Sequence, residues 1–105
     1  MTLDRLAKRF NALFSNSELS RLTIFETNGE VTVKLDVHGF SQFQAKRFIQ
    51  NVINLGLGEC FTLTIVHGYR HGVAIKTMLE GYTHTHIIQK YYDSQNPGVT
   101  HLSVA

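Results

Sequence analysis

Apolar residues at Leu3, Leu6, Phe10, Leu13 and Phe14 recur at steps of three and four, which puts them on one stripe of a helix over 3–15. Ser15-Asn16-Ser17 ends that helix, and 22–26 reads as a strand. Asn28-Gly29, set between two β-prone runs, predicts a type I′ hairpin turn. The second arm, 31–38, alternates: Val31, Val33, Leu35 and Val37 face one way, Thr32, Lys34, Asp36 and His38 the other. Ser41 and Gln44 then form an S-x-x-Q capping box ahead of the stripe Ala45, Phe48, Ile49, Val52 and Ile53, with Gly56 and Gly58 as the stop. The continuously β-prone run 60–66 completes a strand-helix-strand unit. His67-Gly68-Tyr69-Arg70-His71-Gly72 breaks the chain, 73–81 reads as a shorter helix, and two edge strands follow at 87–92 and 99–104 around Asn96-Pro97-Gly98.

Composition narrows this to one globular domain: 105 residues, 43% hydrophobic and 17% charged, are too apolar for disorder and too few for two domains. The single cysteine, Cys60, closes no intrachain disulfide, which fits a reducing cytoplasm. Asp4, Arg5, Lys8 and Arg9 stand where a signal peptide needs its apolar segment, and no apolar run approaches the roughly 20 residues of a membrane span. A soluble, cytoplasmic protein with no membrane partner is expected. A net charge of +2 names no partner, but six histidines are many for so short a chain.

Two of those histidines occupy matching places. Val37-His38-Gly39-Phe40 and Val66-His67-Gly68-Tyr69 each close a strand and open a helix, at the edge where open α/β sheets bind ligands. Asp36 and His38 share a strand face, so the carboxylate can fix one imidazole tautomer; the plainer reading has Asp36 capping a turn. The loop from His67 to Gly72 offers glycine backbone N–H groups and the Arg70 fork to a phosphate, with His71 alongside; an ordinary glycine-rich turn is the plainer alternative. Strict alternation, however, sends His67 to the side of Phe61, Leu63 and Ile65 unless a bulge re-aims it. Lys46, Arg47, Arg70 and Lys76 would form a basic rim around the two helix starts. Phe43, Tyr69, Tyr91 and Tyr92 are candidates to stack on bases, whereas Phe48 and Phe61 fall where a core is needed. His84 and His86, two apart on a strand, fall short of the three or four ligands a zinc site wants, so no metal site is assigned, and these two with His101 read as surface residues.

Leu35-Asp36-Val37-His38-Gly39, then Ile65-Val66-His67-Gly68 about thirty residues later, and finally Asn96-Pro97-Gly98-Val99-Thr100 resemble the Smr domain, the small MutS-related module, over 34–104. The resemblance implies an α/β two-layer sandwich with a βαβαββ core, similar to the C-terminal domain of a bacterial translation initiation factor, preceded here by a helix and hairpin extension at 1–33. It implies a nucleic-acid endonuclease that nicks DNA or cleaves RNA. Asp36, His38 and His67 would be catalytic, and Gly39, Lys46, Gly68, Arg70, His71, Gly72 and Lys76 would bind phosphate or nucleic acid. RNA cleavage through the ribose 2′-hydroxyl needs no cofactor, whereas DNA cleavage by an activated water calls for a divalent ion, held by Asp36. Arg70 stands where the family usually has glycine, which either supplies a side-chain phosphate contact or marks a domain that binds without cutting. The alternative is therefore a non-catalytic module for branched or single-stranded nucleic acid or a ribosomal surface. The Leu6, Phe10 and Phe14 stripe admits either a homodimer contact or packing on its own domain.

Overall fold

A computed structural model describes residues 1–69 and 73–105. Its elements run α1 (Thr2–Leu13), α2 (Asn16–Leu19), β1 (Leu22–Thr27), β2 (Glu30–Asp36), α3 (Gln42–Leu55), β3 (Phe61–Val66), α4 (Ala74–Gly81), β4 (Ile87–Tyr92) and β5 (Val99–Val104). The result is a mixed α/β fold with one five-stranded sheet in the order β1-β2-β3-β5-β4. β2 and β3 run parallel across α3, as the strand-helix-strand reading requires, and the other neighbours are antiparallel.

Local chemistry accounts for most boundaries. Asn28 and Gly29 both take positive φ, 52° and 81°, the type I′ geometry that lets β1 and β2 pair from Leu22 to Thr27 without a break. Ser41 and Gln44 form the reciprocal cap of α3. A second such box was not expected: the Ser15 hydroxyl accepts from the Glu18 N–H while Glu18 caps back, so the first helix stops at Leu13 and Ser15 starts the short α2. β2 ends at Asp36, two residues before the alternating pattern does, because Asp36 folds back onto His38.

Two expectations about the last third are corrected. Only β4 is an edge strand there; β5 is paired on both sides, to β3 and to β4. His84 and His86 precede β4 instead of lying on a strand, and each ring is hydrogen-bonded to a distant part of the chain: the His84 Nε2 to Asn54 and the His86 Nδ1 to the Ala105 carbonyl.

Apart from Val99 at the start of β5, the buried strand positions lie on one face of the sheet. Val31, Val33 and Leu35 of β2, Phe61, Leu63 and Ile65 of β3, and Leu102 and Val104 of β5 meet Ala45, Phe48, Ile49, Val52 and Ile53 of α3 and Ile75 and Leu79 of α4. Leu6 and Phe10 of α1 belong to the same cluster, so their stripe is packed inside its own chain, while Leu13 points to solvent. β1 is hydrogen-bonded along the whole of β2, and β2 itself begins at Glu30, within the segment set apart as an extension. Lys90 closes the end of α4 by donating to the Leu79, Glu80 and Tyr82 carbonyls at 2.8–3.0 Å.

α1 is also anchored by charge. The Arg5 guanidinium meets the Glu59 carboxylate through two bonds, Nε at 2.8 Å and Nη2 at 2.9 Å, with Arg9 Nη2 at 3.4 Å. The Arg5 bonds outweigh burial and, with Thr2 and Arg9, hold the Glu59 carboxyl down at about 2. Because the folded value lies below the ordinary 4.5, this stabilisation is complete above pH 4.5 and is lost as pH falls toward 2. Denaturant titrations from neutral pH downward should show stability falling across that window. Glu59→Gln should flatten part of the acid slope, Asp36 and Asp93 supplying the remainder because their carboxyls are lowered too.

Candidate functional site

The ends of β2 and β3 and the turn between β4 and β5 converge. Val37 N–H donates to the Val66 carbonyl, and the Gly98 carbonyl accepts from both His67 and Gly68 N–H, at 2.8 and 3.1 Å. The two His-Gly turns are alike in backbone: Gly39 has φ +81° and Gly68 φ +75°, a region that side-chain-bearing residues seldom enter. Gly68 passes close to His38, a Cβ built on it falling 3.8 Å from the His38 Cβ.

Asp36 and His38 form the pair that the strand spacing predicts. Asp36 Oδ1 accepts the His38 backbone N–H at 3.2 Å and also the His38 Nδ1. Turn cap and imidazole partner are therefore one oxygen. A carboxylate only accepts, so the proton sits on Nδ1 and Nε2 carries the lone pair. The His38 side chain is 66% exposed, and no hydrogen bond engages Nε2 among the described residues. Burial pushes the Asp36 carboxyl up, but the bonds from the His38 ring and backbone and the charges of His38 and Arg21 outweigh it, and the net shift is downward.

His67 behaves differently. It keeps the strand's alternation, turns to the helix-covered face and is 6% exposed. Its Nδ1–H donates to the Gly68 carbonyl and its Nε2 accepts the Thr100 hydroxyl, both at 2.8 Å. Burial foremost, with the Lys76 charge, lowers its pKa against the opposing Gly68 contact. A neutral ring with both nitrogens engaged fixes the Gly68 turn, in contrast to the exposed His38 imidazole.

Of the remaining predicted residues, Lys76 stands on the first turns of α4, its Nζ 5.1 Å from the centre of the Tyr92 ring. Lys46, near the start of α3, shares a shallow groove with Gln50 and with Gly81, Tyr82, Thr83 and His84 at the far end of α4. Phe43, Tyr69, Tyr91 and Tyr92 are exposed, and Phe48 and Phe61 buried. Arg70, His71 and Gly72 lie outside the described residues.

Arg21 is a site residue the sequence reading passed over. Its Nη1 donates to the Asp36 carbonyl at 3.2 Å and to the His38 carbonyl at 3.1 Å, and its guanidinium lies 4.5 Å over the Phe40 ring. Nothing local in Ser20-Arg21-Leu22 signals this, because the contact spans the hairpin.

Among the described residues no three of His, Cys, Asp and Glu gather around a point, so they build no cage for a divalent ion; Asp36 is a single carboxylate with Oδ1 committed to His38.

The convergence leaves no slack at Gly98, where an added Cβ would fall 3.1 Å from the Gly68 Cα and 3.3 Å from Asn96 Oδ1. Gly98→Ala should force the Gly68 turn outward and cost about 1–3 kcal/mol in urea unfolding. Little or no loss would mean that the two loops give way freely.

Comparison with models of known protein families, with curated proteins and with solved structures finds no match.

Proposed function

We propose that the chain is a nucleic-acid endonuclease in which His38, held by Asp36, moves the proton. The observation that carries this reading is the exposed imidazole with its Nδ1 on a carboxylate, at the carboxyl end of the parallel β2–β3 pair, where ligands gather in open α/β sheets. This reading takes RNA as the substrate, since transfer through the ribose 2′-hydroxyl needs the imidazole and no bound ion. His38 Nε2 takes the ribose 2′-hydroxyl proton, the 2′-oxygen attacks phosphorus, and the imidazolium returns the proton to the departing 5′-oxygen. The Gly39 amide and Arg21 face the charge that develops on the phosphate, while the Gly68 amide stays on the Gly98 carbonyl and holds the turn. His67 is a positioning residue that acts through Gly68. A cytoplasmic location accords with the lone free Cys60.

The inward turn of His67 leaves His38 as the one exposed imidazole of the site among the described residues, and it supports a second reading, a module that binds branched or single-stranded nucleic acid, or a ribosomal surface, without cutting. Labelled RNA, single-stranded DNA, duplex DNA and branched DNA, each with and without EDTA, separate the two. EDTA-resistant cleavage of RNA supports the endonuclease. Salt-sensitive binding without products replaces it with the binding module. EDTA-sensitive nicking of DNA would overturn the metal-free route.

A further inference from the structure

The open face of the sheet carries a row of side chains that the strand-end site does not use. By register Lys34 lies beside Thr64, Thr64 beside His101, and His101 beside Tyr91. The sequence reading placed His101 among the surface histidines, yet only 17% of its side chain is exposed and both ring nitrogens are engaged. Asp93 Oδ2 is 3.0 Å from Nε2, and Thr64 Oγ1 is 2.9 Å from Nδ1. The carboxylate only accepts, so the ring proton sits on Nε2 and the Nδ1 lone pair receives the Thr64 hydroxyl. Asp93 is itself fixed, its Oδ1 accepting the Gln95 and Asn96 N–H groups, and Tyr91 stacks on the imidazole with centroids 5.0 Å apart. The His101 bond foremost, with those backbone bonds, holds the Asp93 carboxyl below its ordinary range.

We propose that Asp93, His101 and Thr64 form a hydroxyl-activating relay, with Thr64 the nucleophile in acyl transfer from a small carboxylic ester. A positioned carboxylate, an imidazole with one free lone pair and a hydroxyl on that lone pair are the parts such a step needs. Thr64 Oγ1 bonds to the carbonyl carbon as its proton passes to His101 Nδ1. The bond to the alcohol oxygen then breaks, and the leaving alkoxide takes that proton. Water repeats the two steps on the acylated threonine, releasing the carboxylic acid and restoring the hydroxyl. Lys34, exposed on the neighbouring strand, supplies the cation that offsets charge on the carbonyl oxygen.

An alkyl fluorophosphonate tests this on the full chain, because it bonds through phosphorus to an activated hydroxyl with loss of fluoride; peptide mass spectrometry then locates the label. Labelling at Thr64 is expected in the wild type and in Thr64→Ser, and none in Thr64→Val, which keeps the branched shape and hence the fold. Asp93→Asn and His101→Gln should slow labelling about a hundredfold or more. His38→Ala should label like the wild type, and Thr64→Val should keep whatever nucleic-acid cleavage the wild type has, so the two sites stand or fall apart. Absence of label on Thr64 in folded protein, or undiminished labelling in both Asp93→Asn and His101→Gln, reduces the row to a cross-strand brace and overturns the proposal.

Discussion

His38→Ala is expected to lower nucleic-acid cleavage about a hundredfold or more while leaving thermal unfolding near that of the wild type. The imidazole is exposed, so its loss opens no cavity in the core, and the residue 38 N–H can still donate to Asp36 Oδ1 and preserve the turn. Asp36→Asn should give a smaller loss. Its amide oxygen can still accept from the ring and the backbone, but the negative charge facing the ring as it takes up the substrate proton is gone. Initial rates on one labelled RNA, with circular dichroism on each variant, are the measurement. If His38→Ala leaves cleavage of every substrate unchanged in folded protein, the assignment of His38 is wrong.

Phe10→Ala is expected to cost about 3–5 kcal/mol in urea unfolding, a large share of the 5–15 kcal/mol typical of a small domain. Phe10 is 1% exposed and begins an aromatic row: Phe14 lies 5.6 Å from it, Phe48 of α3 meets Phe14 edge-on at 5.4 Å, and Phe40 follows at 6.2 Å. The row ends beneath the Arg21 guanidinium, which holds the Asp36 and His38 carbonyls. The cost at Phe10 is therefore paid in the same core that supports the strand-end site. Leu13→Ala, on the exposed side of α1, is the control and should stay within about 0.5 kcal/mol. Equal costs at the two positions would mean that α1 packs loosely against the sheet.

What the sequence made legible was whatever depends on near neighbours. Alternation in 31–37 and 61–66, the Asn28-Gly29 turn and the Ser41–Gln44 box each act within a few residues, and each matches the observed element. The Asp36–His38 pair was legible for the same reason, being two apart on one strand. The Ser15–Glu18 box carried the same signal and was missed because α2 has only four residues and no apolar stripe to draw the eye. Arg21, the Glu59 anchor and the His101 contacts were out of reach: each joins residues brought together by strand order or helix docking, which no local pattern encodes. His67 is the instructive case, since plain alternation already sent it inward, and no bulge intervenes to re-aim it.

The place of β5 bears on how the molecule is made. Among the described residues it is last of the strands in chain order yet sits inside the sheet, so until Val99–Val104 has left the ribosome β4 lacks the strand it pairs with and β3 has a bare edge. The β1–β2 hairpin and the β2–α3–β3 unit can form during synthesis, but Leu102 and Val104 must then insert between structures already standing. Nascent chains stalled short of residue 99 should be sensitive to protease and prone to pair through β3, whereas chains that include 99–104 can close the sheet.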